Sequence, residues 1–368
     1  MVAKTPSERR GAMVRLVESK TVQRVAPPLL LPAGPYLDLA GEEFGRQLLL
    51  TTANDGVEYC LRPDFTLPIA KSYLDDGMVG VPGAFTYLGP IFRQEDGVPV
   101  EYDQAGLELL GQPDAAAALD QVLTFARWAL AIYDVTAPNI RLGGVGLFET
   151  FLAAMGISDH WQARIRHRFG HPASMHRLMQ RLTNPEQRVA GAAPDARETI
   201  IEIVTDNMLQ SGLSLVGSRL PEEIAERYIE KQALDASPIP DEMVALLVEY
   251  LSIVDVPQRA LDRIYQMTRQ AGIDIEDSLN TVRSHAAALI ALSPKASVVF
   301  DAGFAPRLDY YTGVVFEMTG EAGDILASGG EYDRLLNRLG AAEPVTASGP
   351  VDRPAGAGGD AQQWLTKR

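Results

Sequence analysis

The spacing of apolar positions predicts both helices and strands in the first 150 residues. Between Asp114 and Tyr133, apolar residues recur at intervals of three and four, which places them on one face of a helix. A first helix is expected from Ser7 to about Ser19, with Ser7 as its N-cap. Short runs typical of strands cover residues 59–62, 85–93, 105–110 and 140–147. Strands flanked by helices indicate a fold of the α+β class.

The rest of the chain divides into a helical stretch, a return of the strand pattern and a polar tail. Residues from about 150 to 295 are helix-rich, with breaks at proline-containing loops. The strand pattern returns at 298–300 and 314–316, so we predict a helical insertion within a domain that spans residues 1–340. From residue 341 the chain is rich in Ala, Gly, Pro and Asp and has little to bury, and we predict a disordered tail over 341–368.

Composition favours a soluble cytoplasmic protein and argues against two kinds of partner. The 33 basic and 48 acidic residues give a formal net charge of −15, which repels a nucleic-acid backbone. Charge or proline interrupts the long apolar windows, and the N-terminus lacks the apolar run of a signal peptide, so neither a membrane span nor export is expected. Cys60 is the one cysteine, which excludes an internal disulfide and suits a reducing compartment.

The signatures of several common enzyme classes are absent. The sequence has no phosphate-binding loop, no G-x-S-x-G elbow, no H-E-x-x-H and no dinucleotide fingerprint. His167 and His171 have the spacing of a metal-binding pair on a helix, but Gly170 and Pro172 break the helical register between them. A zinc site would also need a third ligand with supporting contacts, so we predict surface histidines, no metal and no cofactor.

Arg62-Pro63-Asp64-Phe65-Thr66 is the first segment with potential binding chemistry. The Asp64 carboxylate can accept a hydrogen bond from an ammonium group, and Thr66 can add a second polar contact. Taken alone, the segment is better explained by a strand that ends in a turn with an Asx-type hydrogen bond.

The second segment, residues 88–111, has the pattern strand, loop, strand. Gln104 and Glu108 are four residues apart on the second strand and therefore point to the same face, as a shared pocket requires. The loop and its flanks carry the carboxylates Glu95, Asp96, Glu101 and Asp103. These acids would repel phosphates, and Val98 and Val100 offer no donor to compensate. A surface hairpin would explain the acidic loop but not the run from Gln104 to Gly111.

The third and fourth segments are the most specific in the chain. The third reads Leu-Asp-Tyr-Tyr-Thr-Gly over residues 308–313, and the fourth reads Gly-Gly-Glu-Tyr-Asp-Arg-Leu over residues 329–335. Separately, Tyr310 and Tyr311 could be core aromatics and Gly329-Gly330 a plain turn. Two such runs in this order are improbable by coincidence.

Together and in this order, the four segments resemble those of histidyl-tRNA synthetases and of their non-catalytic relatives, the regulatory subunits of ATP phosphoribosyltransferase. The resemblance implies a histidine-binding site. Its residues would be Asp64, Thr66, Gln104, Glu108, Tyr310 and Tyr311, with the tyrosine pair around the imidazole ring. Arg93 would be the remnant of an ATP site, since the synthetases use an arginine at this position to grip the α-phosphate.

Other groups that the synthetases use for ATP and tRNA differ in this chain. The arginine that catalyses adenylate formation is replaced by Pro306, with Arg307 displaced by one position. Glu331 stands where the synthetases have an arginine. The third class II motif has no match in register, its nearest candidate being residues 349–353 in the predicted tail, and no anticodon-binding domain follows.

The resemblance therefore implies a regulator instead of an enzyme. It predicts a class II aminoacyl-tRNA synthetase-like antiparallel sheet flanked by helices, and a homodimer formed through residues 27–38. It further implies a hetero-octamer with short-form catalytic subunits, with histidine as effector. Two alternatives remain open: an enzyme that adenylates an amino acid without tRNA, supported by Arg93, and a structural scaffold whose pocket is a relic.

Overall fold

The computed structural model describes residues 5–18, 22–39, 44–95, 99–184, 238–306, 310–321 and 323–352. The chain forms two compact units. The first comprises residues 1–150 and 252–368, and the second comprises residues 151–251.

The described residues form helices and strands that alternate along the chain. The helices are α1 (Pro6–Val17), α2 (Gly34–Leu39), α3 (Thr66–Asp75), α4 (Ala115–Ile132), α5 (Val145–Ala154), α6 (Asp159–Arg166), α7 (Pro172–Thr183), α8 (Asp241–Leu251), α9 (Pro257–Gln270), α10 (Glu276–Leu292) and α11 (Arg334–Arg338). The strands are β1 (Gln23–Arg24), β2 (Leu30–Pro32), β3 (Leu50–Thr52), β4 (Glu58–Leu61), β5 (Gly83–Phe92), β6 (Glu101–Leu110), β7 (Asn139–Gly144), β8 (Val254–Asp255), β9 (Ser297–Asp301), β10 (Val314–Thr319), β11 (Ile325–Glu331) and β12 (Ala347–Asp352).

A nine-stranded sheet in the order β1-β5-β6-β12-β11-β10-β7-β9-β8 forms the centre of the first unit. The six strands from β5 to β7 in this order are antiparallel to their neighbours, as the resemblance implied. Parallel pairs occur only towards the edges, between β1 and β5 and between β7 and β9. A separate small sheet has the order β2-β4-β3. The α+β class is confirmed, with a mixed sheet at its centre.

Helix α4 lies where the apolar spacing predicts it. Asp114 is its N-cap and accepts a hydrogen bond from the Ala117 amide at 2.9 Å. Among the described helices, α4 alone has the length and apolar content to cross a membrane. Its buried face instead packs against β6, β11 and β12, as expected for the core helix of an α+β layer.

The first helix begins two residues earlier than we predict from the sequence. Its N-cap is Thr5, whose side chain accepts from the Glu8 amide while the Glu8 carboxylate accepts from the Thr5 amide. This capping box places Ser7 inside the first turn, so the assignment of Ser7 as N-cap is wrong.

The apolar run at 140–147 contains two elements instead of one strand. Strand β7 ends at Gly144 and α5 begins at Val145. Residues 142–145 at the junction are all buried, and a short, fully buried run shows no periodicity that separates strand from helix.

The helical stretch from 150 to 295 also divides. The second compact unit ends at Leu251, and the helices α9 and α10 belong to the first unit, where α9 packs on β9 and α10 on α4. Within the second unit, α6 ends at Arg166 and α7 begins at Pro172, with Gly170 between them at a φ of 83°. The predicted break in register between His167 and His171 is therefore confirmed.

The prediction of a disordered tail is wrong over residues 341–352. Strand β12 lies inside the sheet and pairs with β11 on one side and β6 on the other. The small residues that suggested disorder permit close packing instead, because a Cβ on Gly329 would lie 2.3 Å from the Gly349 carbonyl oxygen. Residues 353–368 lie outside the described part of the chain.

Candidate amino-acid-binding site

Glu108 lies at the centre of a buried polar cluster. Its side chain projects from β6, and the residue is 1% exposed. Its Oε1 accepts hydrogen bonds from Thr66 Oγ1 at 2.7 Å and from the Tyr87 hydroxyl at 3.2 Å, and its Oε2 accepts from the Tyr332 hydroxyl. Three hydroxyl donors therefore converge on one buried carboxyl group.

Burial raises the pKa of Glu108 to about 8. The hydrogen bonds from Tyr332, Thr66 and Tyr87 stabilise the carboxylate and oppose this effect, while the charge of Asp64 adds to it. Near neutral pH the empty site therefore holds Glu108 largely protonated, ready to ionise beside a cationic ligand.

Gln104 lies on the same strand and face as Glu108. The residue is fully buried, and neither its amide oxygen nor its amide nitrogen has a hydrogen-bond partner among the described residues. Buried polar groups are almost always paired in proteins, because an unpaired one costs roughly 1–3 kcal/mol. The unpaired amide, on the same strand face as Glu108, is therefore available to a polar ligand.

Asp64 and Thr66 border the cluster at the start of α3. The Asp64 carboxylate is buried, and its Oδ1 accepts from the Leu67 amide at 3.2 Å, as the alternative Asx-type interpretation expects. Burial raises the pKa of Asp64, while Arg93 and the Leu67 amide oppose the shift. The capping contact uses one carboxylate oxygen, so this structural role is compatible with ligand binding.

Tyr310 and Tyr311 form an aromatic wall together with Tyr332. The ring centroids of Tyr310 and Tyr311 are 5.0 Å apart, and those of Tyr310 and Tyr332 are 5.7 Å apart. Burial raises the pKa of each of these tyrosines, so all three hydroxyl groups stay neutral. The wall offers ring faces and uncharged hydroxyls to a planar polar group.

Arg93 is buried, but its donors are directed at the protein. Its Nε donates to the Pro63 carbonyl oxygen at 2.6 Å, and its Nη1 lies 3.5 Å from Glu95 Oε1. The guanidinium group lies over the ring of Phe44 at 5.1 Å. Two of the three guanidinium nitrogens of Arg93 therefore contact protein groups.

The acidic loop differs in part from our prediction. Glu95 contacts Arg93, whereas Asp103 pairs with Arg10 of α1 at 2.5 Å and lies on β6 one residue before Gln104. Adjacent strand residues point to opposite faces, so Asp103 faces the helical layer and not the pocket. The interpretation of Asp103 as a phosphate-repelling residue is therefore wrong. Residues 96–98 lie outside the described part of the chain.

Glu331 has a structural role that its position in the motif did not suggest. Its Oε2 accepts from the Val314 amide at 2.7 Å, and a Cβ on Gly313 would lie 2.1 Å from that oxygen. Tyr332, the next residue in an extended segment, directs its hydroxyl to Glu108, so Glu331 points to the opposite side. Arg307 lies outside the described residues.

Three residues of the cluster were not predicted as site residues. Tyr332 belongs to the fourth segment, where the Gly-Gly-x-Tyr-Asp pattern could have indicated it, but Tyr87 has no signal in the sequence. Gly349 lies directly against the site, because a Cβ at this position would be 1.9 Å from Glu108 Oε2. The strand that composition assigned to a disordered tail thus forms part of the pocket.

The sheet and the elements around it define a class II synthetase-type fold. In agreement, the family model for histidyl-tRNA synthetase matches residues 2–197 and 216–349. A regulatory subunit/histidyl-tRNA synthetase of Bacillus halodurans has a TM-score of 0.62 at 21% identity, covering 95% of this chain and 76% of that one. The histidyl-tRNA synthetase of Nostoc sp. PCC 7120 has a TM-score of 0.58 at 15% identity, covering 94% and 69%.

Comparison with sequence relatives identifies the family more specifically. The ATP phosphoribosyltransferase regulatory subunit of Agrobacterium fabrum is 35% identical over 352 residues, 92% of this chain and 93% of the relative. The corresponding protein of Sinorhizobium medicae is 34% identical over 353 residues, 92% and 93% of the two chains. The chain belongs to the family of ATP phosphoribosyltransferase regulatory subunits.

Proposed function

We propose that this chain binds histidine in the Glu108 cluster and conveys the occupancy of that site to a short-form catalytic subunit of ATP phosphoribosyltransferase. As a member of its family the chain is a non-catalytic subunit that acts in histidine biosynthesis. The observation that carries the histidine assignment is the buried, unpaired amide of Gln104 on the same strand face as Glu108.

The groups of the cluster match the polar groups of histidine. Glu108 and Asp64 are acceptors for an ammonium group and an imidazole N–H, and Thr66 can add a further contact. Gln104 offers both a donor and an acceptor, which suits the carboxylate or the imidazole of the ligand. Tyr310 and Tyr311 would enclose the ring.

The assembly and location are part of the same proposal. Within residues 27–38, Leu29, Leu30 and Leu37 are between 41% and 48% exposed, as expected for a surface that a second copy of the chain covers. A homodimer formed there would join catalytic subunits in a cytoplasmic hetero-octamer, with no nucleic acid, membrane, metal or cofactor involved.

The chain alone should show no phosphoribosyl transfer, but it should activate a short-form catalytic subunit and make it sensitive to histidine. Inhibition by a ligand that binds far from the chemistry requires a coupling of about 1–3 kcal/mol, or roughly 5–150-fold in affinity. The measurement is phosphoribosyl-ATP formation by the catalytic subunit, with and without this chain, across a histidine titration. Gel filtration of the mixture reports co-elution. Equal activity and equal histidine response in both arms, without co-elution, would contradict the proposal.

The adenylating alternative predicts histidine-dependent exchange of pyrophosphate into ATP, and we expect none. Arg93 is its main support, yet the Nε and Nη1 atoms of Arg93 contact Pro63 and Glu95. Losing even two phosphate contacts at about 1.5–3 kcal/mol each leaves ATP binding negligible. Exchange clearly above a protein-free blank would restore this alternative.

Isothermal titration distinguishes the scaffold alternative from the proposed function, because a relic pocket would release no heat with histidine.

A further inference from the structure

Arg62 joins the N-terminal segment 27–38 to strand β5. The residue is 3% exposed, and its guanidinium donates to the Pro27 carbonyl oxygen and, at 2.7 Å, to the Pro90 carbonyl oxygen. The backbone of Arg62 makes the same connection, since its amide donates to the Leu29 carbonyl at 2.7 Å and its carbonyl accepts from the Phe92 amide at 3.0 Å. One residue thus ties the segment to the sheet through both its side chain and its backbone.

A continuous stack leads from Arg62 to the amino-acid site. The guanidinium lies 3.9 Å from the ring centroid of Phe65, and Phe65 stacks on Tyr87 with centroids 4.3 Å apart and ring planes at 10°. The hydroxyl of Tyr87 donates to Glu108 at 3.2 Å. A shift of the segment 27–38 would therefore move the donor that orients Glu108, because packed aromatic rings transmit displacement.

We propose that Arg62 is a positioning residue that couples contact with a second copy of this chain at residues 27–38 to amino-acid binding at Glu108. The inference rests on the proposed histidine site and homodimer. The dimer would hold the Pro27 carbonyl in place, and the Arg62–Phe65–Tyr87 stack would then set the orientation of the Glu108 carboxyl group. Because coupling between two binding events is reciprocal, histidine should tighten the dimer by the factor by which dimerisation tightens histidine binding.

The test measures this reciprocity in the wild-type chain. Sedimentation equilibrium gives the dimer dissociation constant with and without saturating histidine, and isothermal titration gives histidine affinity above and below that constant. We expect histidine to change the dimer dissociation constant, and dimerisation to change the histidine affinity, each by about tenfold. A double substitution of exposed leucines, Leu30→Glu with Leu37→Glu, should give a folded monomer with the weaker histidine affinity. Wild-type dimerisation that is indifferent to histidine, or absent, would overturn the coupling.

Arg62→Lys isolates the role of the guanidinium. Lysine keeps the charge but cannot donate to Pro27 and Pro90 in the same fork geometry or stack as a plane on Phe65. We expect this variant to dimerise and bind histidine at the monomer's affinity, with the coupling factor near one. Arg127→Lys, which also removes an arginine that donates to a backbone carbonyl, is the matched control and should retain the coupling. Wild-type coupling in Arg62→Lys would refute the role of Arg62, whereas the absence of histidine binding to the wild-type dimer would refute the proposed function itself.

Discussion

Glu108→Gln is expected to weaken histidine binding by roughly 2 kcal/mol, or about 30-fold, because it removes a buried charged acceptor from a polar ligand while keeping the side-chain shape. Isothermal titration measures the loss. Glu101→Gln, on the same strand but exposed, is the matched control and should bind as the wild type does. Unchanged affinity in Glu108→Gln would move the site elsewhere in the assembly.

The same variant tests the protonation state of the site. Burial raises the pKa of Glu108 to about 8 in the empty pocket, and a bound ammonium or imidazolium group would lower it again. Binding near pH 7 should therefore release a proton, and the affinity should rise as the pH approaches 8. Titrations in buffers of different ionisation enthalpy measure the release. Glu108→Gln should abolish it, and equal release in the variant would show that another group titrates.

Gly349→Ala is expected to abolish histidine binding and to destabilise the fold by about 1–3 kcal/mol through overpacking. The added Cβ would lie 1.9 Å from Glu108 Oε2 and 2.9 Å from the Leu107 carbonyl oxygen, and the backbone atom cannot move aside cheaply. Thermal unfolding and titration with histidine measure the two effects.

Two further variants make this test specific for the position of β12. Gly11→Ala, whose new Cβ would lie at an ordinary contact distance of 3.6 Å from the Arg15 side chain, controls for the loss of a glycine and should bind histidine as the wild type does. Combining Gly349→Ala with Glu108→Ala removes part of the clash, so the two destabilisations should not add. Gly349→Ala with wild-type stability and affinity would show that β12 does not pass over Glu108.

Local patterns predicted elements well where one face is buried and the other is solvated. Helix α4 has such a face, and its apolar periodicity between Asp114 and Tyr133 predicted its position. Periodicity failed at 140–147, where residues 142–145 at the junction of β7 and α5 are buried in an unbroken row, and composition failed at β12. Residues such as Gly349 and Pro350 are typical of disordered segments, yet a strand that packs between close neighbours requires small residues.

By itself the sequence determined the α+β class, the family and the candidate ligand set, because Gln104 and Glu108 share a strand face and the tyrosine pair lies within a specific motif. Only the tertiary structure decided which charged residues face the pocket. Asp103 and Glu331 lie one residue from Gln104 and Tyr332 and point to the opposite sides of their strands. Glu108 is contacted from three other strands or strand ends, by Tyr87, Tyr332 and Gly349. These residues are far from Glu108 in the sequence, and no local pattern predicts the contacts, because strand pairing and burial are set by the whole sheet.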